Sequence, residues 1–331
     1  MTVAGDMRTS TADGPDARDA AVTVVIATYN SVDYLRVAVT SVLQQTVSAW
    51  ELIIVDDGST DGTREWLSTL SDPRIRCIFE PHGANLAYLR NLGVAGGNAP
   101  WVAILDADDS WEPHKLERQL AFHRNHPSIR WSYTGRKLMD AAGAPLSDEN
   151  YRPWAPVAGW IVQEVLVFDA MIATPSMCVA RSLLEEAGGF DERFRYAADH
   201  LLRIDLAMLS ECGVIDEPLV RVRLHAASRT HRNGESNSAL ADVFSAFAAR
   251  APSAELRALS RNGEATFRVN AARIWIDARE WRRAARSLRV AMGLRPFQRS
   301  TYRIAARWLL AIVRHVCTRG SRSSQAQRTN V

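Results

Sequence analysis

Cysteine is scarce in this sequence, and the few cysteines are scattered. The chain of 331 residues has four, Cys77, Cys178, Cys212 and Cys317, and no Cys-x-x-Cys pair. This pattern excludes a disulfide framework and a cysteine-based metal site. It is typical of a reducing compartment, so we expect a cytoplasmic protein.

Long apolar runs are missing as well. The best candidate for a membrane segment, "WLLAIV" (308–313), is far shorter than the ~20 residues that a span needs. Residues 1–20 are polar and lack the apolar centre of a secretion signal, so we predict a disordered leader. These absences favour a protein that is soluble, or peripheral at the inner face of the membrane.

Glycine-rich phosphate loops are also absent. No Gly-x-Gly-x-x-Gly follows the first apolar run, and no Gly-x-x-x-x-Gly-Lys-Ser/Thr occurs anywhere. The sequence therefore disfavours dinucleotide binding of the Rossmann type and P-loop chemistry.

Lysine occurs only twice, and arginine is concentrated at one end of the chain. Residues 251–331 contain 17 Arg and four acidic residues, a charge of about +13. Because the whole chain has a net charge of +3, the first 250 residues carry about −10. A basic extension on an acidic body predicts an anionic partner, such as a membrane surface or an acidic polymer. A solvated arginine-rich helical face is the alternative, and the sequence leaves both open.

Strand and helix patterns alternate over residues 22–110. Four apolar, β-branched runs each lead into an amphipathic or glycine-ended segment, as in "AVTVVIATYN" and "WELIIVDDGSTDGT". This order predicts an α/β fold with a mostly parallel sheet sandwiched by helices. Further helices and strands follow, including a strand pair in "VIDEPLVRVRLH" and a helix hairpin over 270–296.

The pattern also predicts how the chain is divided. We expect a disordered leader (1–20), an α/β domain (21–230), an arginine-rich helical extension (231–318) and a disordered tail (319–331). Within the α/β domain, residues 21–110 and 111–230 form two halves.

Polar residues follow three of the predicted strands. Tyr29 and Asn30, Asp56 and Asp57, and Asp106 and Asp108 all lie at the C-terminal ends of apolar runs. In an open α/β sheet that edge is where ligands bind, so these side chains are expected to converge on one crevice.

The sequence "LDADD" (105–109) ends the fourth strand with three carboxylates. Asp-x-Asp places Asp106 and Asp108 on one side of an extended segment. Carboxylate oxygens with a substrate phosphate suit Mn²⁺ or Mg²⁺, which would offset the repulsion between the acids. Asp109 is instead expected to cap local structure. On the preceding helix, Arg90 is a candidate diphosphate ligand, with an ordinary surface arginine as the alternative.

Together, "VTVVIATYN", "ELIIVDDGSTDGT", "RNLGVA" and "WVAILDADDSWEPHKLERQL" resemble the family 2 glycosyltransferases, which have the GT-A fold. The resemblance runs from about Val22 to Ser228. It implies nucleotide-sugar donor contacts at the following positions: Ala27, Thr28, Tyr29, Asp57 and Asp106. It also implies metal ligation by Asp108, with His225 as a further ligand unless it is a surface histidine.

The family has a Glu-Asp pair at the start of a later helix, where the Asp is the general base. Here Ala198 replaces the Glu, and Asp199 stands at the base position. An N-cap role for Asp199 is the alternative or an addition. The departure at Ala198, and Asp205 where the family often has Arg, keep a non-catalytic binding module open as an interpretation.

The resemblance implies an inverting transferase of the hexosyltransferase type. The Gln-x-x-Arg-Trp motif of processive members is absent, because Arg307-Trp308 follows "IAA", so addition of a single sugar is expected. The expected partners are a nucleoside diphosphate-sugar and a sugar, lipid-linked or natural-product acceptor, without nucleic acid. Two further alternatives are a nucleotidyltransferase and a receiver-type phosphorylation site at "VDD".

Overall fold

The structure is a computed structural model that describes residues 20–147, 154–170, 172–225, 233–296, 299 and 301–311. Residues 1–19 of the predicted leader and the whole predicted tail lie outside the described residues. So does the predicted boundary at residue 230. The division of the chain into those segments stays a prediction.

The first half alternates strands and helices as the sequence predicts. Its elements are β1 Val22–Thr28, α1 Val32–Leu43, β2 Trp50–Asp57, α2 Thr63–Leu67, β3 Ile75–Glu80, α3 Leu86–Gly96 and β4 Trp101–Ile104. β2 is buried along its whole length, which explains its nearly continuous apolar sequence.

The second half contains shorter and more irregular elements. They are β5 Ser110–Trp111, α4 Lys115–Asn125, β6 Trp131–Met139, β7 Pro145–Leu146, α5 Val162–Leu166, β8 Cys178–Ala180, α6 Arg181–Glu186, α7 Ala198–Leu209 and β9 Cys212–Arg223. The sequence did not predict β5 or α5. The predicted strand pair in "VIDEPLVRVRLH" is wrong, because these residues belong to the single strand β9.

One sheet of nine strands joins both halves. Its order is β3-β2-β1-β4-β8-β6-β9-β5, and β7 pairs with β6. The pairs within the first half are parallel, as is β6 with β9, whereas β8 is antiparallel to both β4 and β6. The mostly parallel α/β sheet is therefore confirmed.

Helices cover both faces of the sheet. On one face, α1 contributes Leu35 and Val39 to a core with Val24 of β1. On the other face, Leu201 of α7 packs in a cluster with Val25 and Trp131. Burial of each such apolar side chain stabilises the fold by about 1.5–3 kcal/mol.

β9 is irregular where it passes β6. Between Ile215 and Val220 its pairing slips by three residues relative to β6, with register breaks at Thr134/Gly135 and Gly135/Arg136. A Cβ atom on Gly135 would lie 3.0 Å from the Glu217 carbonyl oxygen, so glycine permits the close approach of the two backbones. The bulge leads β9 to the edge of the sheet that carries "LDADD".

The C-terminal region is helical, as predicted. It contains α8 Gly234–Arg250, α9 Ala254–Asp277 and α10 Trp281–Leu294, and residues 301–311 are also helical. α9 and α10 form the predicted hairpin, and Arg250 of α8 forms an ion pair of 2.5 Å with Asp205 of α7.

The helix over 301–311 packs against the hairpin. Trp308 donates to the carbonyl oxygen of Trp281, and Arg307 pairs with Asp277. None of the described helices combines the length and the apolar character that crossing a membrane requires.

Candidate active site

Three neighbouring parallel strands bring the predicted donor residues to one edge of the sheet. β1 lies between β2 and β4, so Ala27 and Thr28, Asp57, and the "DADD" segment follow one another along that edge. The convergence that the sequence predicted is therefore present in the fold.

Asp57 is held by the loop that follows β3. Its Oδ1 atom accepts hydrogen bonds from the backbone N–H groups of Gly83 (3.2 Å) and Ala84 (3.0 Å). Its Oδ2 atom lies 3.1 Å from Nδ1 of His82. The carboxylate thus fixes the loop and the imidazole together.

His82 in turn stacks on Tyr29. The two ring centroids lie 4.0 Å apart, and the planes differ by 14°. Tyr29 is 37% exposed, so this aromatic pair presents a flat surface at the mouth of the crevice. Sequence reasoning missed His82, although "EPHG" directly follows the third predicted strand, which is the position at which the other site residues were found.

The loop beside this pair depends on glycine. Gly58, which follows Asp57, has φ +72°, and a Cβ atom there would lie 2.5 Å from the backbone nitrogen of His82. Only glycine has both the conformation and the space that this contact needs.

The three acids of "LDADD" have three different partners. Asp106 forms an ion pair of 2.6 Å with Arg90. Asp108 Oδ2 lies 3.0 Å from Nε2 of His225. Asp109 accepts the backbone N–H of Arg223 at 2.8 Å. The three neighbouring carboxylates are therefore held by three different residues.

Asp109 is the buried member of the cluster. Burial and the neighbouring charges of Asp106 and Asp108 raise the pKa of the Asp109 carboxyl well above its usual range. Its carboxylate accepts a hydrogen bond from the backbone of β9, so Asp109 joins β9 to the end of β4.

Arg90 is a buried residue and not the surface arginine of the alternative interpretation. Only 6% of its side chain is exposed, and its guanidinium lies 5.2 Å from the ring centre of Phe190. One terminal N–H group of Arg90 donates a hydrogen bond to the Asp106 carboxylate. Arg90 therefore sets the position of Asp106 as well as the positive charge behind the crevice.

Arg223 is a second arginine at the site, and no pattern in the sequence predicted its role. Its Nε donates to the backbone oxygen of Asp108 (2.8 Å), and its Nη1 donates to the backbone oxygen of Ala141 (3.0 Å). The guanidinium also lies 4.7 Å from the ring centre of Tyr34. It fixes the main chain between Asp106 and Asp109.

Asp108 and His225 are the side chains best placed to hold a divalent cation. Their Oδ2 and Nε2 atoms already converge at hydrogen-bond distance. The part of the chain that the structure describes contains no group of three or more His, Cys, Asp and Glu side chains arranged as a metal site. This pair fits Mn²⁺ or Mg²⁺ that takes its other ligands from a diphosphate and water.

Asp199 lies in the first turn of α7, and its Oδ2 atom is occupied. Thr174 donates to it at 2.9 Å, and Arg203, one turn later, at 3.1 Å. Burial favours the protonated form, but the charges of Arg203 and Arg90 outweigh it and hold the pKa of Asp199 well below its usual range. Asp199 does not make a side-chain cap, because the helix begins after Ala197 without one.

Arg90 connects the two acidic groups electrostatically. It contacts Asp106 directly, and its charge also stabilises the ionised form of Asp199. The charge of one buried guanidinium thus acts on both Asp106 and the predicted base.

Comparison with known proteins relates part of this chain to a glycosyltransferase family. Residues 23–136 match the profile described as "Glycosyl transferase family 2". A "Putative teichuronic acid biosynthesis glycosyltransferase TuaG" of Bacillus subtilis (strain 168) is 40% identical over 134 residues, 40% of this chain and 53% of that protein. The chain thus spans about half of this relative's length, and 34% and 30% of the length of two further curated relatives.

Two solved structures share the fold. S. aureus TarS 1–349 has a TM-score of 0.62 at 19% identity, covering 83% of this chain and 81% of that one. The mannosyltransferase PcManGT from Pyrobaculum calidifontis, solved with GDP-Man and Mn²⁺, has a TM-score of 0.55 at 19% identity, covering 92% and 85%. At sequence identities this low, the structural likeness is evidence for the fold alone. It confirms the predicted GT-A fold. The family match is therefore to residues 23–136 of this chain, which resemble glycosyl transferase family 2.

Proposed function

We propose that the protein is a glycosyltransferase that moves one sugar from a nucleoside diphosphate-sugar to an acceptor hydroxyl with inversion. The observation that carries the proposal is the arrangement around Arg90. This one buried cation pairs with Asp106 and also stabilises the ionised form of the predicted base Asp199. An inverting transferase needs an ionised base on the face of the sugar opposite the departing diphosphate.

The Tyr29–His82 pair and Asp57 form the proposed nucleobase site. A base stacks on the exposed face of Tyr29, and stacking of this kind is worth about 1–3 kcal/mol per base. Asp57 supplies the carboxylate that accepts hydrogen bonds from the base or keeps the loop in place. Ala27 and Thr28 provide the end of β1 beneath it.

Asp108 and His225 would hold Mn²⁺ or Mg²⁺ against the donor diphosphate. When bound, such an ion neutralises the charge that develops on the departing nucleoside diphosphate. The resemblance to the family assigns Asp106 to the ribose side of the donor, and Arg90 holds its carboxylate in place. Arg223 keeps the backbone of Asp108 in place and so sets the direction of the carboxylate.

Asp199 is the proposed general base. Its Oδ2 atom is bonded to Thr174 and Arg203, and no described residue occupies Oδ1. The acceptor hydroxyl gives its proton to Oδ1 while its oxygen forms a bond to the anomeric carbon. The bond from that carbon to the diphosphate oxygen breaks on the opposite face, which inverts the configuration. A low pKa keeps the base ionised at neutral pH.

We further propose an acceptor of the saccharide class, because TuaG is described as a biosynthetic glycosyltransferase of teichuronic acid. A lipid-linked saccharide and a sugar-bearing natural product remain in the same class. The work of such an enzyme would be polysaccharide or glycoconjugate biosynthesis.

The test is a panel of nucleotide sugars, with and without Mn²⁺, scored by thermal shift and by donor hydrolysis. We expect one or two donors to stabilise the wild type only with Mn²⁺. Asp108→Ala should abolish metal-dependent stabilisation and turnover, whereas Asp199→Asn should abolish turnover and keep the stabilisation. Wild-type turnover in both variants, or no response to any donor, would show that the proposal is wrong.

A further inference from the structure

A second cleft lies outside the donor crevice. It has a volume of about 750 Å³ and opens between the loop that precedes α7 and the helices α8, α9 and α10. Arg195 and Tyr196 form the wall on the side of the α/β domain. The opposite wall is formed by the arginine-rich extension, which contributes no residue to the proposed donor site.

The charge of this cleft is positive. Its lining includes four arginines and two acids: Arg195, Arg268, Arg283, Arg286, Glu235 and Asp242. An excess of guanidinium groups in a concave site favours anions, because the fork of N–H donors matches carboxylate and phosphate oxygens.

Two of these arginines are held in place by the protein. Arg283 lies 4.7 Å from the ring centre of Trp275 and donates to Glu235 at 3.3 Å. Trp275 also packs so closely on α8 that a Cβ atom on Gly234 would lie 2.5 Å from its ring. Arg268 is paired with Asp242 at 2.5 Å. Their guanidinium groups are thus fixed before any ligand binds.

The other two arginines face the cleft from opposite walls. Arg195 is on the loop before α7, and Arg286 is on α10, one turn after Arg283. Within the described residues, neither forms a salt bridge with an acidic side chain. Their charges are therefore available to a ligand that lies between the walls.

The cleft is connected to the predicted base through one short segment. Tyr196 lines the cleft, Ala197 follows with φ +62°, and Asp199 comes in the first turn of α7. A chain that occupies the cleft therefore lies beside the segment that carries the general base. This is the side on which an acceptor must approach.

We propose that this cleft binds an anionic stretch of the acceptor, a glycan that carries carboxylate or phosphate groups, through Arg195, Arg283 and Arg286. The assignment to the acceptor rests on the proposed glycosyltransferase function. Binding of the anion in the cleft holds the chain so that a neighbouring hydroxyl reaches Asp199.

The test measures binding of three labelled probes by fluorescence anisotropy: an oligogalacturonate hexamer, a short polyphosphate and neutral maltohexaose. We expect at least one anionic probe to bind the wild type and maltohexaose not to bind. The double variant Arg283→Ala/Arg286→Ala should weaken binding by about tenfold or more, the usual loss for charged hydrogen bonds. Which anionic probe binds more tightly identifies carboxylate or phosphate as the ligand group.

The matched control is Arg282→Ala/Arg289→Ala. It removes the same charge from the same helix at two exposed residues that do not line the cleft. We expect wild-type binding. Arg195→Ala, on the opposite wall, should weaken binding without touching the packing of α10, so the proposal stays testable if the double variant is unstable.

Three outcomes would overturn the inference. These are equal losses in the control and cleft variants, no binding of either anionic probe, and binding of maltohexaose as tight as that of the anionic probes. Failure of the proposed function is seen separately. Asp108→Ala should lose donor binding but keep probe binding, whereas a cleft that binds the probe in a protein that binds no nucleotide sugar would contradict the transferase assignment alone.

Discussion

The carboxylate of Asp199 and the guanidinium of Arg203 lie 3.1 Å apart, one helical turn from each other on α7. Thr174 donates to the same oxygen atom, so one side of the carboxylate is fully engaged. This arrangement keeps the proposed base ionised and oriented. The pH dependence of the proposed transfer should therefore change when Arg203 is replaced.

Arg203→Gln should raise the pKa of Asp199, because it removes the nearest positive charge. A base acts only when it is deprotonated, so activity is lost as the pH falls through its pKa. The acidic limb of the kcat/KM profile should therefore move to higher pH in the variant, whereas Asp199→Asn should lower kcat by about 10²–10⁴-fold at every pH. Arg118→Gln, an exposed arginine paired with Glu217, is the control and should leave the profile unchanged.

Asp108→Ala and Asp109→Ala should have different effects although the residues are adjacent. Asp109 is buried and accepts the N–H of Arg223, so its removal leaves that donor unsatisfied and costs about 1–3 kcal/mol of unfolding free energy. Asp108 is 30% exposed, and its loss should affect metal-dependent donor binding with little change in stability. Urea unfolding and Mn²⁺-dependent thermal shifts measure the two effects. Equal stability losses in both variants would contradict the separation.

Arg90→Ala should destabilise the protein more than Arg193→Ala. Arg90 is buried and paired with Asp106, so the substitution costs roughly 1–3 kcal/mol and abolishes turnover. Arg193 is 79% exposed in its pair with Asp191, and such surface pairs contribute about 0–1 kcal/mol. Equilibrium denaturation compares the variants. Wild-type turnover in Arg90→Ala would remove the basis of the proposed arrangement.

Lys115 should make stability rise with pH above neutrality. Its ammonium is fully buried, donating to Gln119 at 2.6 Å above the ring of Trp111, and burial lowers its pKa to about 7. The unfolded chain keeps the proton up to the usual pKa, so above about 7 the unfolded state binds more protons. Relative to Lys115→Met, the wild type should gain up to about 1.4 kcal/mol per pH unit between about 7 and 9.

Denaturation of the wild type and of Lys115→Met at a series of pH values checks this. Below the folded-state pKa both states bind the proton, and the difference between the two proteins should become constant. A difference that stays constant across the alkaline range as well would mean that Lys115 is not desolvated.

The strand ends could be predicted from the sequence because they depend on a short, local pattern of residues. A buried apolar run that stops at carboxylates predicts both a strand and its ligand-binding end, and Asp57, Asp106 and Asp108 were found in this way. The partners of these residues were not predictable. Arg223 is 114 residues from Asp109 in sequence, and nothing near either residue indicates their contact.

Other differences also have physical causes. The predicted strand pair is one strand, β9, although Pro218 within it lacks a backbone N–H. Pro218 lies in the bulge of β9, where a ladder hydrogen bond is not required, so the strand continues through it. His82 was missed because its role depends on stacking with Tyr29, and neighbours in space leave no pattern in the sequence.

The bulge of β9 has a consequence for the evolution of the site. Side chains alternate along a strand, so a slip of one residue turns every following side chain to the other face. The three-residue slip beside Gly135 therefore sets the phase with which β9 delivers Arg223 to Asp109 and continues to His225. A single deletion within residues 216–219 would dismantle the proposed ion site without altering any ligand. Length in this short stretch should be conserved more strictly than residue identity.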